Sequence, residues 1–183
     1  MKKFSSICGE KSSGLILGLG SSASRLIENY KVKYRGITEF ENIHMESADS
    51  YCAGLDVSDF DRVALRRVLQ DVSALLLVTS GGGKSAGEMS SYTALYALSE
   101  SISVDVVLSY PLLWEGNRRR KNAIVLHEEL KAKGATVSVV DGGGNSDIEF
   151  DTYEQDFALL DAQILKEVCL WVDGGRIVRT QLG

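Results

Sequence analysis

The chain has 183 residues, 44% hydrophobic and 25% charged, with a formal charge of −5 and a pI near 5.1. This suits one compact domain spanning residues 1–183, and the acidic balance argues against general nucleic-acid affinity. No apolar run approaches the ~18 residues of a membrane span, no signal segment opens the chain, and Cys8, Cys52 and Cys169 make neither a metal pair nor a disulfide set, so a cytoplasmic setting is expected.

Residues 14–20 (GLILGLG) read as a buried strand ending in a tight turn, and 21–30 as a helix that Ser21 or Ser22 can cap. Residues 33–40 (KYRGITEF) read as a second strand and 41–57, without clear periodicity, as loop. A helix follows over 58–72, with Ser58 as its cap, and then a buried strand over 73–80. Residues 86–100 form the next helix, with Met89, Tyr92, Leu95, Tyr96 and Ser99 on one stripe. A strand at 103–111, a helix at 119–134 ended by Gly134, a strand from 135 and a long helix over 152–172 complete the order.

Strands that alternate with helices and are apolar on both faces predict an α/β fold. The sheet is doubly wound and mostly parallel, with helices on both faces. Ligands of such sheets lie outside the carboxyl ends of the strands. Three glycine-bearing turns fall on that edge, at 18–20, 81–83 and 142–144.

The stretch VTSGGGKSAG (78–87) ends like a phosphate loop of the type G-x-x-x-x-G-K-[ST], but the first glycine of that motif falls on Val78, inside the strand. GLGSSA (18–23) matches G-x-G-x-x-A, a weak dinucleotide signal that leaves a nicotinamide-dependent oxidoreductase as a distant alternative. HEEL (127–130) lacks the second histidine of a zinc motif, and no metal-ligating or catalytic set stands out.

A third reading uses more of the chain. VTSGGGKSAG resembles the glycine-rich signature of the tubulin and FtsZ family, with Gly81, Gly82, Gly83 and Gly87 on its glycines. YPLLWEGNRRRKNA is similar to the family's P-F-x-F-E-G-x-x-R-x-x-x-A, with Pro111, Glu115, Gly116, Arg119 and Ala123 on the fixed positions and Trp114 on the second aromatic. ILGLGSSASRLIEN resembles its first strand, loop and helix, shortened and with fewer glycines.

The resemblance implies a divergent FtsZ-like nucleotide-binding domain that takes GTP or GDP; it leaves a magnesium requirement unspecified. It places the terminal phosphates on Gly81, Gly82, Gly83, Lys84, Ser85, Ala86 and Gly87, and the diphosphate on Gly20, Ser21 and Ser22. It places the ribose on Glu115, phosphate on Arg119 and the guanine near Phe157 and Asp161. Each has a plainer use: Glu115 and Arg119 as an exposed i, i+4 ion pair, the glycines as turns, Phe157 as core.

Lys84 and Ser85 depart from the family's threonine and glycine, and the segment SYCAGLDVSDF (50–60) is short and lacks the family's glycine-rich loop that senses the terminal phosphate. No N-x-D-x-x-D segment follows the long helix and no second domain is expected, so independent hydrolysis is not expected. The partners implied are a guanine nucleotide and either another copy or an FtsZ-like protein of the cell-division cytoskeleton. A scaffold on this fold that has lost its nucleotide is the principal alternative.

Overall fold

The computed structural model describes residues 13–33, 42–47, 62–70, 72–142 and 152–173. In chain order these form β1 (Ser13–Leu19), α1 (Ser21–Lys33), β2 (Asn42–Ser47), α2 (Arg62–Val68), β3 (Ala74–Ser80), α3 (Lys84–Ser99), β4 (Ser103–Tyr110), α4 (Asn117–Ala132), β5 (Thr136–Asp141) and α5 (Tyr153–Val172). All pairings are parallel and the strand order is β2-β1-β3-β4-β5.

Alternate residues of each central strand feed opposite cores, as the two-residue period of a strand requires. On β1 and β3, Leu15, Leu17, Leu75 and Leu77 pack with Leu65, Met89, Leu126 and Leu130 under α2, α3 and α4. Ile16, Leu76 and Val78 pack the other way, with Leu26, Ile27, Ile164, Val168 and Trp171 under α1 and α5. The sheet is therefore doubly wound, as its sequence pattern predicts.

Two elements differ from the sequence reading. The second strand runs over 42–47, within the stretch read as loop, while Lys33 closes α1 and residues 34–41 lie outside the described residues. β2 is an edge strand, so its signal is the alternation of Ile43 and Met45 with His44 and Glu46, not a continuous apolar run. On α3 the buried residues include Ala86, Ser90, Thr93, Ala94 and Ala97 beside Met89, whereas Leu95 is 52% exposed. The helix buries its small side chains against the sheet, and Ser90 donates to Thr79 Oγ1 at 2.8 Å and to the Ala86 carbonyl at 2.6 Å.

The strand order reverses at β1: the chain passes from β1 to β2 on one side and returns to β3 on the other. The carboxyl ends of β1 and β3 are level, with Gly18 paired to Val78 and Leu19 to Thr79. This is the crevice in which open α/β sheets bind ligands. It opens between Gly20 and the glycines after β3.

Candidate functional site

The site begins with two turns that touch. Gly20 holds φ +90°, a left-handed conformation suited to glycine, and a Cβ added there would lie 3.0 Å from that of Ala86. Gly20 precedes the first residue of α1, and its carbonyl accepts from Ser24 N at 2.8 Å. Glycine thus occupies the capping position that the sequence reading gave to Ser21 or Ser22. Those two serines are exposed in the first helical turn. Gly83 caps α3 in extended conformation with no side-chain bond, leaving the first-turn amides of α3 without intrahelical partners.

The two helix N-termini face one cleft of about 240 Å³, lined by Gly20, Ser21, Ser22, Ser80, Gly83, Lys84, Ala86 and Arg119. Aligned peptide dipoles and free amides at both ends, with two cations beside them, favour an anion there. Lys84 is 87% exposed and lies 3.9 Å from Glu88, so its ammonium stands in solvent beside the cleft.

A second cleft, of about 160 Å³, shares Ser22, Ser80 and Arg119 with the first. Its floor is the carboxyl ends of β3 and β4 (Val78, Thr79, Ser109 and Tyr110). One wall is α1, with Arg25 and Leu26; the other is α5, with Phe157, Leu160, Asp161 and Ile164. Glu115 and Arg119 close the end nearest the first cleft. The sequence reading missed Arg25, Thr79, Ser80, Ser109 and Tyr110. Their signal is the polar residues that end the apolar runs LLLVTS and VVLSY.

Glu115 ends a 3₁₀ turn, Leu113–Glu115, and is held from two sides. One carboxylate oxygen accepts from Leu112 N at 2.9 Å; the other accepts from Arg119. The plain ion pair and the site placement are therefore both realised, since the pair lines the cleft. The cluster 118–121 divides by role. Arg119 faces the clefts, while Arg120 turns away to make a two-pronged contact with Asp141, at 3.0 and 2.7 Å, and to bond the Pro111 carbonyl at 2.8 Å. Arg118 and Lys121 are exposed.

Gly81 and Gly87 line a separate groove between α3 and α4. The Gly81 amide donates to the Ser109 carbonyl at 3.0 Å and the Gly87 amide to the Gly83 carbonyl at 3.0 Å. Gly82 lies beneath Pro111 and Arg119; a Cβ there would come within 2.7 Å of Pro111 Cγ. The Ser85 side chain lies outside the described residues. Of the third turn, Gly142 packs against Leu112 and Leu160, and 143–144 lie outside the described residues.

Phe157 is 37% exposed and lines the cleft, contrary to a core placement. Its ring meets Trp114 edge-on at 5.5 Å, and Trp114 in turn contacts Tyr153 at 4.7 Å. Burial pushes the Asp161 carboxyl above its ordinary pKa, and the nearby charge of Arg25 opposes that shift. Asp161 is the one charge on an apolar stripe of α5 at helical spacing: Phe157, Leu160, Asp161, Ile164.

This parallel sheet, in the order 2-1-3-4-5 with two helix N-termini and a lateral cleft at its switch point, has the fold seen in solved FtsZ and CetZ structures. Solved structures with this fold match most of the chain at low identity. FtsZ from M. jannaschii, an empty dimer, superposes with a TM-score of 0.73 at 16% identity, over 88% of this chain and 55% of its own. CetZ2 from Haloferax volcanii, a protofilament with GTPγS, gives 0.66 at 16%, over 92% and 60%. CetZ1 from the same organism, a GDP-bound monomer, gives 0.66 at 13%, over 88% and 60%. The chain thus spans little more than half the length of these structures. No family model and no curated protein matches its sequence.

Proposed function

We propose that this chain is a guanine-nucleotide-binding domain of FtsZ-like type. The phosphates lie between the N-termini of α1 and α3, held by amides from Gly20 to Ser22 and from Gly83 to Ala86, with Arg119 and Lys84 supplying charge. The ribose lies against Glu115, and the guanine enters between α1 and α5 beside Phe157 and Asp161. The observation that carries this reading is the joining of an anion-favouring cleft to a lateral cleft through shared Ser22, Ser80 and Arg119. The GDP and GTPγS in the two CetZ structures fit the same reading.

Binding is proposed without self-contained hydrolysis. Among the described residues, those lining the phosphate cleft include serines and cations but no carboxylate to position an attacking water. The domain then works in the cytoplasm as a single nucleotide-dependent module that self-associates or docks onto an FtsZ-like partner, in keeping with the dimer and protofilament of its structural relatives. No described helix is long and apolar enough to cross a membrane.

One observation favours a scaffold that has lost its nucleotide. The lateral cleft holds about 160 Å³, below the ~300 Å³ at which small-molecule sites usually begin. Calorimetric titration of the purified chain with GDP and GTP separates the two readings. Micromolar binding supports the nucleotide module. Absence of binding at millimolar nucleotide overturns it and leaves the scaffold.

A further inference from the structure

α4 has one side in the core and one in solvent. Ala123, Leu126 and Leu130 are buried. Helical geometry puts Lys121, Ile124, Val125 and Glu128 on the opposite side, at i, i+3, i+4 and i+7, and all four are exposed. A single apolar residue on a surface is ordinary. Here two β-branched residues stand side by side in the middle of the exposed stripe, Ile124 at 49% and Val125 at 66% exposure. β-Branched side chains lose rotamer freedom in a helix, so a face that meets only water is better served by lysine, glutamate or alanine. Val125 also lines the open groove of about 610 Å³ between α3 and α4, as does Leu95, itself 52% exposed.

The charges on this stripe point to what covers it. Lys121 lies at one end and Glu128 at the other, with Ile124 and Val125 between them. That pattern complements itself when a second copy is laid antiparallel: Lys121 of each meets Glu128 of the other, and Ile124 of each meets Val125 of the other. Neither charge is committed elsewhere. Lys121 forms no ion pair with a described residue, whereas Arg119 and Arg120 beside it are taken by Glu115 and Asp141. Glu128 is 68% exposed, and its pair with His127, at 3.8 Å, exists only when that ring is protonated. The chain carries −5 overall, so two copies repel at a distance; Arg118 and Lys121 offset that repulsion locally on this helix.

We propose that the solvent face of α4 is a two-fold interface between copies of this chain. The two α4 helices lie antiparallel across Ile124 and Val125, with Lys121 paired to Glu128 in both directions and the α3–α4 groove alongside. Antiparallel packing also sets each positive helix N-terminus near the partner's negative C-terminus. A contact of this isologous kind closes on itself, so it makes dimers and not a filament. The proposal rests on the self-association in the reading above and not on nucleotide binding. One helix pair buries little area, so the dimer is weak.

The test is sedimentation equilibrium of the nucleotide-free chain at up to about 1 mM protein, in low and high salt. Wild type is expected to dimerise, and less so in high salt. Val125→Asp, Lys121→Glu and Glu128→Lys should each weaken dimerisation about 10-fold or more, the last two because like charges then face each other at both ends. All three positions are exposed, so unchanged thermal melting certifies each fold. Lys121→Glu mixed in equal amount with Glu128→Lys should recover association, since the mixed dimer restores opposite charges at both ends. Wild type that stays monomeric overturns the interface, while the GDP titration judges the nucleotide reading separately. Dimerisation that survives Val125→Asp places the contact elsewhere. Single variants that weaken and do not recover on mixing remove the antiparallel pairing.

Discussion

Gly81 lies so close to Ala123 that a Cβ on the glycine would come within 2.5 Å of the alanine Cβ. The turn after β3 is thus pressed against α4, and the first glycine of the triad is required by packing. Gly81→Ala is expected to destabilise the domain by about 1–3 kcal/mol, the usual range for overpacking a filled site. In an Ala123→Gly background the same change should cost somewhat less, because the opposing methyl is gone while the Cα of residue 123, 2.7 Å from the added Cβ, still resists it. Chemical denaturation of the four proteins measures this coupling; equal costs in both backgrounds would refute the contact.

That contact also shows where sequence reading falls short. Four of the five described strands and the sheet class were legible because buried runs such as LLLV and VDVVL carry their own signal. β2 was misplaced because an edge strand alternates instead of running apolar. The α3 stripe was misassigned because periodicity favours large residues, whereas Ala86, Ser90, Ala94 and Ala97 allow the close approach to the sheet. Within the site, Glu115, Arg119, Phe157 and Asp161 line one cleft; only the Glu115–Arg119 spacing puts two of them on one helix face, and the resemblance supplied the other two. Gly81 and Gly82 follow the motif for a reason no spacing reveals: they make room for Ala123, Pro111 and Arg119.

Arg119 borders both clefts and is half exposed in its pair with Glu115. Its removal should therefore separate binding from stability. Arg119→Ala is expected to change folding stability by about 1 kcal/mol, because Arg119 itself is half exposed and Glu115, at 13%, keeps its hydrogen bond from Leu112 N. It should weaken GDP binding about 10-fold or more, with a shallower salt dependence than wild type. Parallel melting and titration over ionic strength test this, and unchanged GDP affinity would remove Arg119 from the phosphate site.

The two tryptophans report different regions. Trp171 is buried and donates to Asp105 Oδ2 at 2.9 Å under the sheet, whereas Trp114 is 48% exposed and packed on Phe157 at the cleft. Nucleotide stacking near Phe157 should change the emission of Trp114 and leave that of Trp171 constant. A GDP-dependent fluorescence change is therefore expected in wild type and expected to vanish in Trp114→Phe while calorimetric binding persists. A signal surviving in that variant would place the responding group elsewhere.

Trp171 carries a second expectation. Asp105 is a buried carboxylate, 7% exposed, and the indole N–H of Trp171 is its hydrogen-bond donor. Trp171→Phe keeps most of the apolar volume and withdraws that donor. A loss of about 1–3 kcal/mol is expected from the unmatched acceptor alone. Asp105→Asn in the Trp171→Phe background should recover part of it, since the neutral amide is cheaper to bury; denaturation curves showing no recovery would argue for lost packing instead.

Asp161 supplies the pH dependence. Its carboxyl is pushed up by burial, so the folded chain holds this proton more readily than the unfolded chain does. The sign follows from linkage: without nucleotide, ionised Asp161 costs stability, and the cost is relieved as pH falls through the raised pKa. Asp161→Asn should therefore melt higher than wild type at neutral pH. Guanine binding has the opposite preference, because only the ionised carboxylate accepts from both N1–H and the 2-amino group. Around Asp161 the cleft presents Arg25, Glu115 and Arg119, and Glu115 is held by Leu112 N and Arg119. GDP affinity is expected to fall as the buffer moves from neutral to mildly acidic, with a proton released on binding in that range. Calorimetry in buffers of different ionisation enthalpy counts that proton; its persistence in Asp161→Asn would assign the titration to another group.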